Sequence, residues 1–336
     1  MRITVLMGGT SAERDVSIAS GLRIAAALRS RGHEVTSLDT ATGVIDASRE
    51  RDLLASGVQQ APPDLASLAS MARQSLSPNL GTLPEVRGAD VVFLALHGGQ
   101  GEDGTLQALF DLSGVRYTGT GQLGSAMAMD KDVSKRLFRD HGVQTADWLM
   151  APASVQEVGD TIGFPVVVKP SKQGSTVGLT LVREPAGLET AIAEAFKYDD
   201  EVMLERFISG RELTVGILGN EALPIGEIIP KHELYDYECK YTKGMAVEEF
   251  PARLEPAVAA HVQAQAVLAF RALKLRGYAR IDFRLDDSGG CFCLEANTLP
   301  GMTELSLIPQ AAAAAGMSFP ELCERIVQLA ITEGRS

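Results

Sequence analysis

Arg280, Asp282, Glu295 and Asn297 are the residues whose types and spacing point most directly to chemistry. They lie in "RIDFRLDDSGGCFCLEAN", residues 280–297, which reads as a β-hairpin around the turn "DSGG". Side chains alternate faces along a strand. Ile281, Phe283 and Leu285 on the first strand, with Phe292, Leu294 and Ala296 on the second, are therefore expected to share the buried face. Arg280 and Asp282 then fall on the other face with Glu295 and Asn297. A four-residue turn sets Asp282 opposite Glu295 and Arg280 opposite Asn297. Two facing carboxylates repel. A divalent cation removes the repulsion, and Mg²⁺ favours carboxylate, amide and phosphate oxygens. The plainer alternative is a solvated polar face with Arg280 offsetting the acids.

A cation between carboxylates suggests nucleotide phosphates, which need N–H donors and further cations. "VVVKPSKQGSTVG", residues 166–178, supplies both. Lys169 ends an apolar run, Gly174 and Gly178 let the backbone approach an anion, and Ser175 and Thr176 add hydroxyl donors. No Gly-Lys-Ser/Thr follows, so this is not a Walker loop. In "MLERF", residues 203–207, Glu205 and Phe207 are placed to form a hinge against a base, with Glu212 available to ribose hydroxyls. An exposed ion pair of Glu205 with Arg206 is the competing reading.

The elements that must position these groups are legible in outline. "ITVLMGG" is a strand ending in two glycines. A helix follows from about Asp15, with Ile18, Leu22, Ala25 and Leu28 at helical spacing and Gly32 closing it. "EVTSLD" and "ADVVFLALHGG" are further strands, and "TLQALFDL" is a helix. Residues 43–87 are expected to hold short helices and loops. "DKDVSKRLFRDHG" is a helix with a glycine stop, "FPVVVKP", "LTLV" and "EVMLERF" are strands, and 186–198 is helical. Strands at "ELTVGIL" and "LPIGEII", a polar loop at 231–247, a long helix at about 256–275, the hairpin and two helical stretches complete the chain.

Composition narrows the class. The 336 residues are 45% hydrophobic with 33 glycines and 5% aromatics, which suits an α/β enzyme of two to three domains. A formal charge of −12, with scattered Lys and Arg, argues against nucleic acid as a partner. Cys239, Cys291, Cys293 and Cys323 have no zinc-like spacing and read as small half-buried residues in a reducing compartment. The N-terminal apolar run is too short for a signal peptide and no stretch reaches membrane-spanning length. A cytoplasmic protein with no membrane contact is expected.

Taken in order, these motifs resemble those of the D-alanine–D-alanine ligases in the ATP-grasp superfamily. The likeness rests on "GGTSAERDVS", "ALHGGQGEDGTLQ", "YTGTG", "MDK", "VKPSKQGSTVG", "LERFISGREL", "YDYECKY", "RIDF" and "EANTLPGMTELSLIP". It runs from residue 3 to about 330 and is weakest across 43–87. The resemblance implies an α/β (α+β) ATP-grasp fold. An N-terminal βαβ substrate domain would span 1–120 and a central domain 121–207. A C-terminal catalytic domain, 208–336, would carry a lid at 231–247.

The resemblance also implies roles. Lys131, Lys169 and Lys240 would contact ATP phosphates, while Glu205, Phe207, Ile208 and Glu212 hold adenine and ribose. Asp282, Glu295 and Asn297 would bind two Mg²⁺ ions, with Mn²⁺ able to substitute. Arg280 and the Gly301 N–H would stabilise an oxyanion. Glu13, helped by His97, would face the ammonium of the first D-alanine, and Ser306 and Leu307 the carboxylate of the second. Glu13, Ser175 and Tyr241 would be linked by hydrogen bonds. The implied reaction is ATP-dependent joining of two D-alanines through a D-alanyl phosphate, for peptidoglycan and cell-wall synthesis, by a homodimer. The alternatives are another ATP-grasp carboxylate–amine ligase or a D-alanine–D-lactate ligase. A dinucleotide-binding oxidoreductase is disfavoured because "GGTSAERDVSIASG" lacks the G-x-G-x-x-G fingerprint.

Overall fold

The computed structural model describes residues 1–11, 13–56, 77–174, 176–231, 244–303 and 306–333. Within them the strands form three sheets. The first is built from β1 (Arg2–Met7), β2 (Glu34–Asp39), β3 (Gly43–Ile45) and β4 (Val91–Leu94), in the order β3-β2-β1-β4. β1 runs parallel to both β2 and β4, so its C-terminal end opens at the point where the chain switches sides. Helix α1 (Arg14–Ser30) buries Ile18, Leu22, Ala25 and Leu28, the stripe its spacing predicts. β3 is a short strand inside the stretch expected to be helices and loops. At three residues it is too short to show a β-pattern in sequence, and it pairs antiparallel with β2.

The turn after β1 needs glycine. Gly8 has φ +80, and a Cβ there would lie 2.2 Å from Asp39 Oδ1. Asp39 is fixed by Arg14, whose Nη1 donates to its Oδ1 at 3.0 Å and to the Gly9 carbonyl at 2.7 Å. Burial pushes the Asp39 carboxyl up, but the Arg14 guanidinium outweighs it and holds it below the usual range.

The second sheet has the order β5-β8-β6-β7, from β5 (Trp148–Met150), β6 (Val166–Pro170), β7 (Thr180–Val182) and β8 (Val202–Arg206), with all neighbours antiparallel. The third is antiparallel along β12-β11-β9-β13-β14. Its strands are β9 (Arg211–Leu218), β10 (Glu221–Ala222, paired only with β9), β11 (Gly226–Pro230), β12 (Ala246–Glu249), β13 (Tyr278–Leu285) and β14 (Cys291–Asn297). A helix at Pro256–Ala272 covers one face through Val262, Ala266, Ala269 and Phe270. The last two helices, Leu307–Ala314 and Phe319–Thr332, pack into the same core as β1, β4 and α1. This ties the end of the chain to its beginning.

Of the expected lid, residues 232–243 lie outside the described residues. Its two ends are joined: β11 and β12 pair antiparallel, and Lys231 N–H donates to the Met245 carbonyl at 2.9 Å. Among the described residues no helix is long and apolar enough to cross a membrane.

Candidate active site

The hairpin of β13 and β14 places Asp282 opposite Glu295 and Arg280 opposite Asn297, as its sequence predicts. The rest of its register does not follow. A bulge falls between Asp282 and Phe283, and beyond it Phe283 pairs with Cys293 and Leu285 with Cys291. Leu294 is the extra residue, and the connection is 286–290 rather than "DSGG" alone, closed by Asp286 N–H to the Gly290 carbonyl at 3.0 Å. The bulge reverses face parity within β14. Cys291, Cys293 and Ala296 therefore share the core with Ile281, Phe283 and Leu285, while Phe292 packs with Ile208 and Leu294 lines the cleft. Cys291, Cys293 and Cys323 are fully buried rather than half-buried, and burial raises their thiols, which makes them inert.

Asp282 is 7% exposed and held from three strands. Thr214 Oγ1 of β9 donates to its Oδ1 at 2.7 Å. Arg280 Nε donates to the same oxygen at 3.0 Å, and Arg280 Nη2 and Asn297 Nδ2 donate to Oδ2 at 2.9 and 3.0 Å. Across the cleft, Lys131 Nζ lies 3.3 Å from Glu295 Oε2 and donates to the Gln173 carbonyl at 2.7 Å. Lys131 opens the helix Lys131–Asp140, which Asp130 caps by accepting from Val133 N–H.

Glu205 is not the partner of Arg206. Its carboxylate is 3% exposed and faces inward. Lys169 Nζ donates to its Oε2 at 2.6 Å, and Lys135 Nζ donates to its Oε1. β6 and β8 pair Val167 with Glu205, so Lys169 and Glu205 are same-face diagonal neighbours. Burial alone would raise the Glu205 carboxyl, but the ammonium groups of Lys135 and Lys169 outweigh it and hold it at about 2. Lys135 was missed in sequence. Its signal is the i,i+4 spacing from Lys131, which puts both ammonium groups on the buried face of one helix. Arg206 instead lies 3.8 Å from Asp147.

Phe207, Ile208 and Glu212 line the same cleft and are tied together by Arg284, also missed in sequence. Arg284 Nε donates to the Ile208 carbonyl at 3.0 Å and Nη1 to Glu212 Oε2 at 3.2 Å, and its guanidinium lies 5.5 Å from the Phe207 ring centre.

A second group of residues meets at the ends of β1 and β4. Glu13 Oε2 lies against Gly98 and Gly174; a Cβ on either would come within 3.2 and 3.3 Å of it. Glycine at both positions lets this one carboxylate sit between two parts of the chain. His97 is buried and donates through Nδ1 to the Leu299 carbonyl at 2.8 Å, which leaves Nε2 as an acceptor for Ser20 Oγ at 3.3 Å. Burial lowers the His97 pKa, with the Glu13 charge partly opposing, so the ring is neutral. Burial and the Glu13 charge push the nearby Glu102 carboxyl up to about 8. Ser306 stands at the N-cap position of the helix Leu307–Ala314, and its hydroxyl accepts from Thr303 N–H at 2.8 Å beside Gly301 rather than from the helix. Ser175, Lys240 and Tyr241 lie outside the described residues.

The model for the D-ala D-ala ligase N-terminus matches residues 2–120 and that for the D-ala D-ala ligase C-terminus matches 138–328. The chain belongs to the D-alanine–D-alanine ligase family. It is 44% identical to the D-alanine–D-alanine ligase of Citrifermentans bemidjiense, over 98% of this chain and 96% of that one. The solved D-alanine–D-alanine ligase of Coxiella burnetii is similar with a TM-score of 0.80 at 29% identity, covering 99% and 94% of the two chains. The Bacillus anthracis ligase complexed with ATP matches with a TM-score of 0.74 at 30% identity, covering 99% and 98%. Residues of the second and third sheets, Lys169 and Glu205 with Glu212 and Glu295, line one cleft together with Lys131.

Proposed function

We propose that this chain joins two D-alanines into D-alanyl-D-alanine at the expense of ATP, supplying a precursor for peptidoglycan and the cell wall. The observation that carries the reading is the arrangement of Lys131 and Lys169 in one cleft with Glu295, whose strand partner is Asp282. Cationic and metal-binding groups are both needed where negative charge moves between oxygens. The carboxylate oxygen of the first D-alanine attacks the γ-phosphorus, and ADP leaves. The amine of the second D-alanine then attacks the acyl carbon, loses a proton, and expels phosphate. The protein supplies no nucleophile to either step.

Lys169 is held at Glu205 with its charge facing the cleft, and Lys131 bridges Glu295 to the loop carrying Gln173. We assign both to the phosphates and add Lys135, which fixes Glu205 from behind. Phe207, Ile208 and Glu212, steadied by Arg284, take the adenine and ribose. Glu13 takes the first ammonium, with His97 beside it. Arg280 and the Gly301 N–H face the oxyanion, and Ser306 and Leu307 at a helix N-terminus take the second carboxylate. Ser175, Lys240 and Tyr241 complete the set by sequence.

Asp282, Glu295 and Asn297 fit Mg²⁺. They carry hard oxygens in adjacent register; Asn297 uses its amide nitrogen on Asp282, which leaves its Oδ1 for a cation, and Asp282 would join the set as Arg280 gives up its oxygens. Three protein ligands fall short of the six Mg²⁺ takes, so phosphate oxygens and water are required for the rest. When bound, two such ions would neutralise developing charge on the transferred phosphoryl group.

We further propose working units at 1–120, 121–207 and 208–336 with a lid at 231–247, a homodimeric assembly, and a cytoplasmic location. The test is to supply D-alanine, ATP and Mg²⁺ and to identify the products. ADP, phosphate and D-alanyl-D-alanine in equal amounts are expected. ATP consumption without dipeptide, or none at all, overturns the reading.

A further inference from the structure

The turn Leu299–Met302 is held from outside its own sheet. Three residues of the N-terminal sheet unit converge on it. His97 Nδ1 donates to the Leu299 carbonyl at 2.8 Å, and Leu299 N–H donates to Glu102 Oε1 at 3.2 Å. One peptide residue is thus gripped at both of its backbone groups. Glu102 Oε2 accepts from Gly98 N–H at 2.6 Å, so the carboxylate bridges the glycine turn after β4 to the Leu299 turn. Ser20, on α1, accepts from Met302 N–H at 3.1 Å. Its hydroxyl proton is then directed to His97 Nε2 at 3.3 Å. The chain of bonds is closed: Leu299 carbonyl, His97, Ser20, Met302 N–H, with Glu102 on the remaining N–H. Leu299 and Met302 are buried and Gly301 lies between these two anchored residues.

We propose that Ser20 and Glu102, acting with His97, are positioning residues that fix the Leu299–Met302 turn so that the Gly301 N–H points at the reacting carbonyl. This rests on the function proposed above. None of the three need touch the oxyanion. They set the direction of the donor that does, and such a donor stabilises a transition state only if its direction is fixed beforehand. Both Glu102 oxygens accept an N–H here, and each carboxyl oxygen keeps an acceptor lone pair whether or not the group carries its proton. A glutamine presents one carbonyl acceptor and turns an NH₂ towards the other donor.

The device predicts an effect confined to one of the two chemical steps. Phosphoryl transfer uses the lysines and the metal ligands, which sit on strands and a helix that the clamp does not touch. Collapse of the tetrahedral intermediate uses the turn. Single-turnover rapid-quench experiments on the full enzyme with Glu102→Gln and Ser20→Ala read ADP and dipeptide separately. The expected result is dipeptide formation slowed about 10-fold or more for Glu102→Gln and less for Ser20→Ala. ADP formation and the KM for ATP should stay within about threefold of wild type. Ser20→Ala carries the test alone if Glu102→Gln fails to fold. Dipeptide formation within twofold of wild type overturns the inference. So does an equal slowing of ADP and dipeptide, which marks a general structural role. A wild-type enzyme that makes no ADP from these substrates overturns the proposed function instead, so the two failures are distinguishable.

Discussion

Lys169 and Lys135 grip opposite oxygens of one buried carboxylate, Glu205, with Lys169 Nζ at 2.6 Å. Lys135 is itself fully buried and also donates to Thr145 Oγ1, which in turn donates to the Cys293 carbonyl at 2.7 Å. The second sheet is thereby bolted to the hairpin that carries the metal-ligand candidates. Breaking a buried pair on one side leaves an uncompensated charge, a loss of about 3–5 kcal/mol. Glu205→Gln strands two ammonium groups and should lower the stability to denaturant by that order. Lys135→Met strands none, because Lys169 still neutralises Glu205. It should be milder, and should weaken ATP binding by loosening Lys169. Denaturant midpoints together with nucleotide titrations check both variants. Equal destabilisation by the two would refute the assigned asymmetry.

The same cluster sets an acid limit. The folded Glu205 carboxyl, at about 2, lies below its unfolded value of about 4.3. The unfolded chain therefore binds the proton first as pH falls. Stability from this group is complete above about pH 4.3 and is lost as pH drops towards 2. Between pH 5 and 8 it should contribute no slope. Unfolding free energies from pH 2 to 6, compared with Glu205→Gln, check this; identical acid slopes in the two proteins would contradict it.

Glu295→Gln should leave the fold intact, since the side chain sits at the edge of the cleft, 3.3 Å from Lys131, and glutamine keeps its shape. It should lower kcat by about 10²-fold or more and raise the Mg²⁺ concentration needed for half-maximal rate. Near-normal turnover at ordinary Mg²⁺ would remove Glu295 from the metal set.

What the sequence made legible follows from range. The pairing of Asp282 with Glu295 was readable because strand alternation and a glycine turn are local signals, and the site lies on the side of the bulge where the simple register still holds. The bulge at Leu294 was not readable, because "CFCLEA" alternates plausibly in either parity and cysteine is small enough to fill a core as well as phenylalanine. Glu205 was marked as important by its place after an apolar strand, but its partners were not. Lys135 comes from 70 residues away, and nothing local reveals that a helix buries two lysines. The clamp of Ser20, His97 and Glu102 on Leu299 spans even larger separations, so its members carry ordinary local roles as helix, strand-end and turn residues.

Arg284 offers a test of the adenine side that leaves the phosphate side alone. It stands opposite Glu212 in the β9–β13 register and bonds to it at 3.2 Å, while its Nε holds the Ile208 carbonyl and its guanidinium lies over Phe207. One side chain therefore fixes the ring, the backbone and the carboxylate proposed to meet the base and ribose. Removing it leaves the Lys131, Lys169 and Asp282 contacts unchanged. Loss of binding contacts that are equal in ground and transition states raises KM and leaves kcat alone. Arg284→Ala should raise the KM for ATP about 10-fold, with kcat within about threefold and the KM for D-alanine unchanged. Arg284→Lys should recover little, because an ammonium cannot bridge three partners as a planar guanidinium does. Steady-state kinetics with ATP and D-alanine varied separately decide it. A fall in kcat with an unchanged KM for ATP would move Arg284 from nucleotide binding to the chemical step and would refute the hinge assignment of Phe207, Ile208 and Glu212.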